Sequence, residues 1–212
     1  MGARIVAVGE AVNDAERLVI RHLREHGRDD WTVLHSVEIQ QRDGLFEVDL
    51  VVVTGHAVYV IDVKGTRGAI EADGGRWYPA GRAPFRSPLP KLRGNSKSLK
   101  GLLETADLRL ARVYTGALVV LSSSDAVLYD RSSDQRDAKA TVRLDELVDA
   151  LADKSRVPSS GRFDLDIAAH QDTIVNAVKG SARPPSGPLR FGNWVVVEKL
   201  SETTAEKVSS RL

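Results

Sequence analysis

The densest hydrophobic pattern in the chain is a pair of short runs, Val48 to Val53 and Ala57 to Val63, separated by Thr54-Gly55-His56. Both are rich in β-branched residues and short, and a Gly-containing turn divides them, so they predict two strands of one hairpin, buried on both faces. Helical spacing precedes them. Ala15, Leu18, Val19, His22 and Leu23 form a stripe, Asn13 or Asp14 supplies a cap, and Gly27 a stop, which predicts a helix to about His26. Trp31 to Gln40 predicts a further strand, with Gln41-Arg42-Asp43-Gly44 turning into the hairpin. After it, Ala69-Ile70-Glu71 and Trp77-Tyr78 face each other across a Gly74-Gly75 turn. A helix with Leu99, Leu102, Leu103, Ala106 and Leu110 inward follows, capped at Asn95 or Ser96, and then Thr115 to Ser122, expected to complete the central sheet. Two more amphipathic helices, one capped near Thr141 and one over Phe163 to Lys179, close the folded part.

Charge inside the hairpin changes the picture. Asp49 interrupts the first apolar run, while Asp62 and Lys64 end the second. A charge buried there costs several kcal/mol unless it is paired or metal-bound. Side chains alternate along a strand, so Asp62 and Lys64 share a face, roughly 6.5–7 Å apart. A four-residue loop of Thr54 to Ala57 sets Asp49 directly opposite Asp62. Facing carboxylates repel unless a proton or a cation lies between them. A hard divalent ion bridging them beside a lysine is an arrangement suited to phosphodiester cleavage: it lowers the pKa of a bound water and offsets charge on the phosphate.

The stretch EVDLVVVTGHAVYVIDVKGTRG resembles the core of the nuclease-related (NERD) domain, a branch of the PD-(D/E)XK nuclease superfamily, in which a strand bearing an Asp is followed by one ending Asp/Glu-X-Lys, here Asp62-Val63-Lys64. The likeness extends over about residues 10–125: Glu16 matches the family's helical glutamate, and Ser87-Pro88-Leu89 followed by LRGNSKSLKGLL matches a later basic segment. It implies an α/β fold with a restriction-endonuclease-like core, a mixed central sheet flanked by helices, and a C-terminal helical extension. It further implies that Glu16, Asp49 and Asp62, with the Val63 carbonyl, bind Mg²⁺ or Mn²⁺, and that Lys64 positions water or stabilises the transition state. The implied substrate is DNA, with double strands favoured, and a homodimer suits relatives that cut duplexes. Glu10 is a weaker candidate for the role of Glu16, which read without the resemblance is a solvated first-turn carboxylate favoured by the helix dipole. Glu47 is either a support behind the acids or the exposed edge of its strand.

Composition adds bounds. In 212 residues, 42% hydrophobic and 28% charged, one good core is affordable. No run approaches the ~18 apolar residues of a membrane span, and the first residues make a poor signal peptide. The absence of cysteine excludes disulfides and thiolate metal sites and fits a reducing, cytoplasmic setting. The net charge of +1 says little, yet Gly74 to Leu103 holds seven bases and no acid. Arg93, Lys97 and Lys100, joined by Arg67, are the candidate nucleic-acid contacts, Lys97 and Lys100 lying at a helix start where phosphate binds readily; a solvated basic loop is the alternative. The five histidines, His22, His26, His35, His56 and His170, show no ligand spacing and read as structural.

The expected organisation is a nuclease-like core over 1–130, a helical extension packed on it over 131–180, and a linker with the start of a downstream segment over 181–212. Within the last, LRFGNWVVVEKL is similar to the first strand of a protein-kinase small lobe, without the following Gly-rich loop. NERD–kinase fusions of that kind occur in bacterial phage-defence systems of the phage-growth-limitation (BREX-like) type, which implies other defence components as partners. Three readings follow: a metal-dependent nuclease, a silent binding or docking module, and an ordinary Asp62–Lys64 strand-end ion pair.

Overall fold

A computed structural model of the chain describes residues 2–8, 13–41, 44–159, 161–183, 190–191 and 194–195. In chain order the elements are β1 (Arg4–Ala7), α1 (Asp14–His26), β2 (Thr32–Gln41), β3 (Gly44–Val53), β4 (Val58–Lys64), β5 (Ala69–Asp73), β6 (Arg76–Pro79), β7 (Phe85–Arg86), α2 (Leu89–Ala106), β8 (Thr115–Leu121), β9 (Val127–Asp130), α3 (Arg136–Lys139), β10 (Thr141–Arg143), α4 (Leu147–Ala152), α5 (Gln171–Ser181) and β11 (Ala182–Arg183). The central sheet runs β1-β2-β3-β4-β8-β10, with β11 also on β2. It is mixed: β2, β3 and β4 are antiparallel, whereas β1 on β2, β8 on β4 and β10 on β8 are parallel.

Each face of that sheet carries helices. Val19, Ile20 and Leu23 of α1 and Leu147 and Leu151 of α4 pack on Val33, Leu50, Val52, Ile61 and Val120. On the other face, Leu92, Leu99 and Leu103 of α2 and Ile174 and Val178 of α5 pack on Leu34, Val51, Val60 and Val119. The result is the expected α/β/α arrangement with a C-terminal helix. A smaller sheet, β7-β6-β5-β9, joins the α2 side through the buried Trp77. Its β5–β6 hairpin turns at Gly74 and Gly75, both at positive φ (53° and 75°), a conformation glycine adopts without strain.

Several boundaries differ from the sequence expectation. Helix α2 begins at Leu89, not near Asn95; Pro90 suits a first turn, where its missing N–H is no loss. Asn95 and Ser96 are therefore buried inside the helix, satisfied by the Glu47 and Thr115 carbonyls at 3.3 and 3.0 Å. The face of α1 is rotated by one residue, so that Glu16 is buried and Leu18 exposed. Strand β8 is interior, because Thr141–Arg143 forms an edge strand beyond it and starts the following helix later. Phe163 lies outside any helix, its ring 5.3 Å from that of Tyr114, and α5 starts only at Gln171. The segment similar to a kinase strand lies outside the described residues apart from the short pair Arg190–Phe191 and Trp194–Val195. No helix among the described residues is long and apolar enough to cross a membrane.

Leu103 is fully buried where α2 meets the sheet. Leu103→Ala is expected to cost about 2–5 kcal/mol, measured by urea unfolding followed by far-UV circular dichroism.

Candidate active site

The β3–β4 register decides where the motif charges meet. Thr54 closes the turn: its N–H donates to the Ala57 carbonyl at 2.9 Å, and its hydroxyl accepts the Ala57 N–H at 3.1 Å. Val53 then pairs with Val58 and Leu50 with Ile61, so the next step in register sets Asp49 against Asp62. Ladder pairing stops there. Instead, the Val63 N–H donates to Asp49 Oδ2 at 2.7 Å, and Lys64 Nζ forms an ion pair with Asp62 Oδ2 at 2.7 Å.

A matching interruption lies on the other side of Asp49. His35 pairs with Leu50 and Val37 with Val48, and the ladder register skips the intervening Ser36 and Asp49. Ser36 is buried with φ 55°, a left-handed conformation costing a non-glycine residue roughly 1–2 kcal/mol. Here the inward positions of both strands step out of alternation, Leu34 being followed by Val37 and Val51 preceded by Val48 on the same core face. Nothing in the serine's sequence context signals this.

Burial is the first cause that pushes the Asp49 carboxyl up, to about 7; the neighbouring Asp62 and Glu16 add to it, against the Val63 N–H and Lys64. Glu16 thus acts electrostatically on the same site from α1. It is not the solvated carboxylate of the simpler reading: it is only 5% exposed, its N–H donates to the Asn13 cap, and Asn13 Nδ2 lies 2.6 Å from Oε1. Glu10 lies outside the described residues.

Asp49 and Asp62 border a cleft of about 750 Å³ between the middle of β3, the end of β4 and the start of α2. Asp49, Asp62 and Lys64 line one side, Arg86 and Lys91 the other, with the exposed Glu47 at the edge. The four bases singled out in sequence are elsewhere. Arg93 and Lys97 line a separate groove, and Arg67 a cavity beside α1. Lys100 is turned inward, donating to the Leu110 and Val113 carbonyls at 3.1 and 2.6 Å and facing the Phe163 ring. Arg86 and Lys91 belong to the same acid-free stretch, and only the fold distinguishes them from its other bases.

The donor chemistry suits a hard cation, because oxygen carboxylates that repel one another gain most from a positive ion between them. The arrangement itself is less complete: among the described residues no three His, Asp or Glu side chains gather as a set able to hold a metal ion. Lys64 occupies Asp62, and Asn13 holds Glu16.

Residues 11–122, just over half of the chain, match the nuclease-related domain, NERD. The chain belongs to the NERD family. No curated protein matches it. The matched span of this NERD domain contains every motif charge, from Glu16 to Lys64, together with Arg86, Lys91 and the whole of α2.

Because Asp49 binds a proton more tightly folded than unfolded, its ionisation destabilises the fold as pH rises from about 4 to about 7. Below that window the penalty is absent. Asp49→Asn, which keeps the acceptor for Val63 but cannot ionise, is expected to flatten this part of the stability profile, read from melting temperatures in chelator-containing buffers between pH 4 and 8. An unchanged slope would show that Asp49 is already ionised at acid pH.

Proposed function

We propose that this NERD domain hydrolyses phosphodiester bonds in DNA with the help of Mg²⁺ or Mn²⁺. The observation that carries the proposal is the meeting of Asp49 and Asp62 beside Lys64 on one wall of a cleft whose other wall bears Arg86 and Lys91. Asp49 and Asp62 would hold the ion, with Glu16 and the Val63 carbonyl completing its ligands, in the pattern of the PD-(D/E)XK superfamily. When bound, such an ion activates water and offsets phosphate charge.

The chain's own groups do the rest. Arg86 and Lys91 attract and orient the phosphate backbone. The Val63 N–H fixes one oxygen of Asp49, leaving the other to turn into the cleft. Lys64, paired with Asp62 in this structure, would be freed if that carboxylate held a cation and would then offer its ammonium to the charge developing on the phosphate. Double-stranded DNA is the favoured substrate, with two copies serving its two strands. A place in a bacterial defence protein, joined to a kinase-like segment, follows from the likeness of residues 189–200.

The second reading is a module that binds nucleic acid or a partner without cutting. The short Lys64–Asp62 ion pair, and the lack of three gathered ligands among the described residues, favour it.

Supercoiled plasmid with Mg²⁺ or Mn²⁺ separates the two. Nicking by the original chain, reduced about 100-fold or more in Asp62→Ala and Lys64→Ala, supports the nuclease. Absence of nicking, with salt-sensitive DNA binding that survives both substitutions, supports the binding module. Mn²⁺ should also raise the melting temperature of the original and not that of Asp62→Asn; equal shifts in both would exclude the site.

A further inference from the structure

Away from the motif cleft, a second groove of about 480 Å³ runs along the first half of β8, ahead of where β10 pairs with it. Four cationic side chains line it, Arg93 and Lys97 from α2, Lys139 from the end of α3, and Arg156; its lining contains no acid. Two of the four are held in place, since Arg93 donates to the Arg136 carbonyl at 3.4 Å and Arg156 Nη1 to that of Lys139 at 3.2 Å. Four like charges drawn together repel, an arrangement that an anion relieves.

Two buried polar groups point to the same conclusion. Tyr59 lines the groove and is 2% exposed, and its hydroxyl is buried without a hydrogen-bond partner. Burial pushes that hydroxyl up to about 12, so it stays a donor at neutral pH. Arg156 Nε is likewise buried without a hydrogen bond, 3.9 Å from Asp153 Oδ2. Unsatisfied buried donors are uncommon and call for a ligand or another explanation.

The backbone contributes as well. Val119 N–H donates to the Ala140 carbonyl where β10 begins. By the two-residue alternation of a strand, the N–H of Ala117 points the same way, before β10 has started, into the groove. The groove therefore combines four cations and a peptide N–H, with the unpaired Tyr59 hydroxyl buried behind its wall.

We propose that this groove is a phosphate-binding site, distinct from the cleft of Asp49 and Asp62, for a ligand carrying phosphoryl groups. The chemistry is shared by a free nucleotide and by the backbone of a nucleic acid. The site does not depend on the nuclease reading, because none of its donors touches Asp49, Asp62 or Lys64.

The test uses inorganic pyrophosphate in the presence of EDTA, by isothermal titration and thermal unfolding of the whole chain. Saturable binding with a raised melting temperature is expected for the original and equally for Asp62→Ala. Lys97→Gln/Lys139→Gln, which changes two exposed side chains, should weaken it at least tenfold, and Tyr59→Phe severalfold. No saturable binding to the original, or equal affinity in the double variant, overturns the proposal. Displacement of pyrophosphate by ADP at lower phosphate concentration than by a 12-base-pair duplex identifies the nucleotide as the source, and the reverse order identifies the nucleic-acid backbone.

Discussion

The turn closed by Thr54 is the constraint on which the site depends. A strand has a side-chain period of two, so a slip of one residue between β3 and β4 would send Asp62 and Lys64 to the opposite face of the sheet. Four residues between Val53 and Val58, locked by the Thr54 N–H and hydroxyl, forbid that slip. Apolar burial strengthens the constraint. Leu50 to Val53 and Val58 to Ile61 are sealed on both faces by α1 and α4 on one side and α2 and α5 on the other. The hairpin can neither slide nor rotate without exposing one of these rows, so its two acids meet wherever the rest of the domain folds.

Holding acids there carries a cost that the surrounding structure meets locally. Asp49 gains one strong N–H donor from Val63 and Asp62 a lysine, yet Asp49 still titrates near neutrality because burial and its acidic neighbours outweigh both. Ser36, across from Asp49, adds a left-handed backbone. Strain and desolvated charge are thus concentrated at one step of an otherwise regular ladder, where both cost stability. Glu16 extends the same logic to α1. A helix built for packing alone would place an apolar side chain on the buried row of Val19, Ile20 and Leu23, and this one places a carboxylate.

Helix α2 links the cleft to the groove. Successive residues turn by about 100°, so Lys91 and Asn95, four apart, lie on one flank, while Arg93 and Lys97 lie on the other. Lys91 and Asn95 border the motif cleft, and Arg93 and Lys97 the groove beside β8. A single run of basic residues is thereby divided between two surfaces, and its last member, Lys100, is withdrawn from both to satisfy the carbonyls at Leu110 and Val113.

The chain's own pattern determined the hairpin, the parity that sets Asp49 against Asp62, the Gly74-Gly75 turn and the capped first helix, because each depends on contacts within about ten residues: alternation, turn chemistry and an Asn13 side chain reaching the Glu16 N–H. The family resemblance rested on the same local features. Tertiary structure decided the rest. Whether Glu16 is solvated or buried depends on how α1 rolls against the sheet, a rotation of one residue that the stripe of apolar side chains left open. The start of α2 depended on carbonyls from β3 and the β8 entrance that satisfy Asn95 and Ser96 inside the helix. The place of the bases was set by how their elements pack, with Arg93 reaching the Arg136 carbonyl across the fold and Lys100 turned in to those of Leu110 and Val113. A long flexible side chain does not record that placement in its own neighbourhood of sequence.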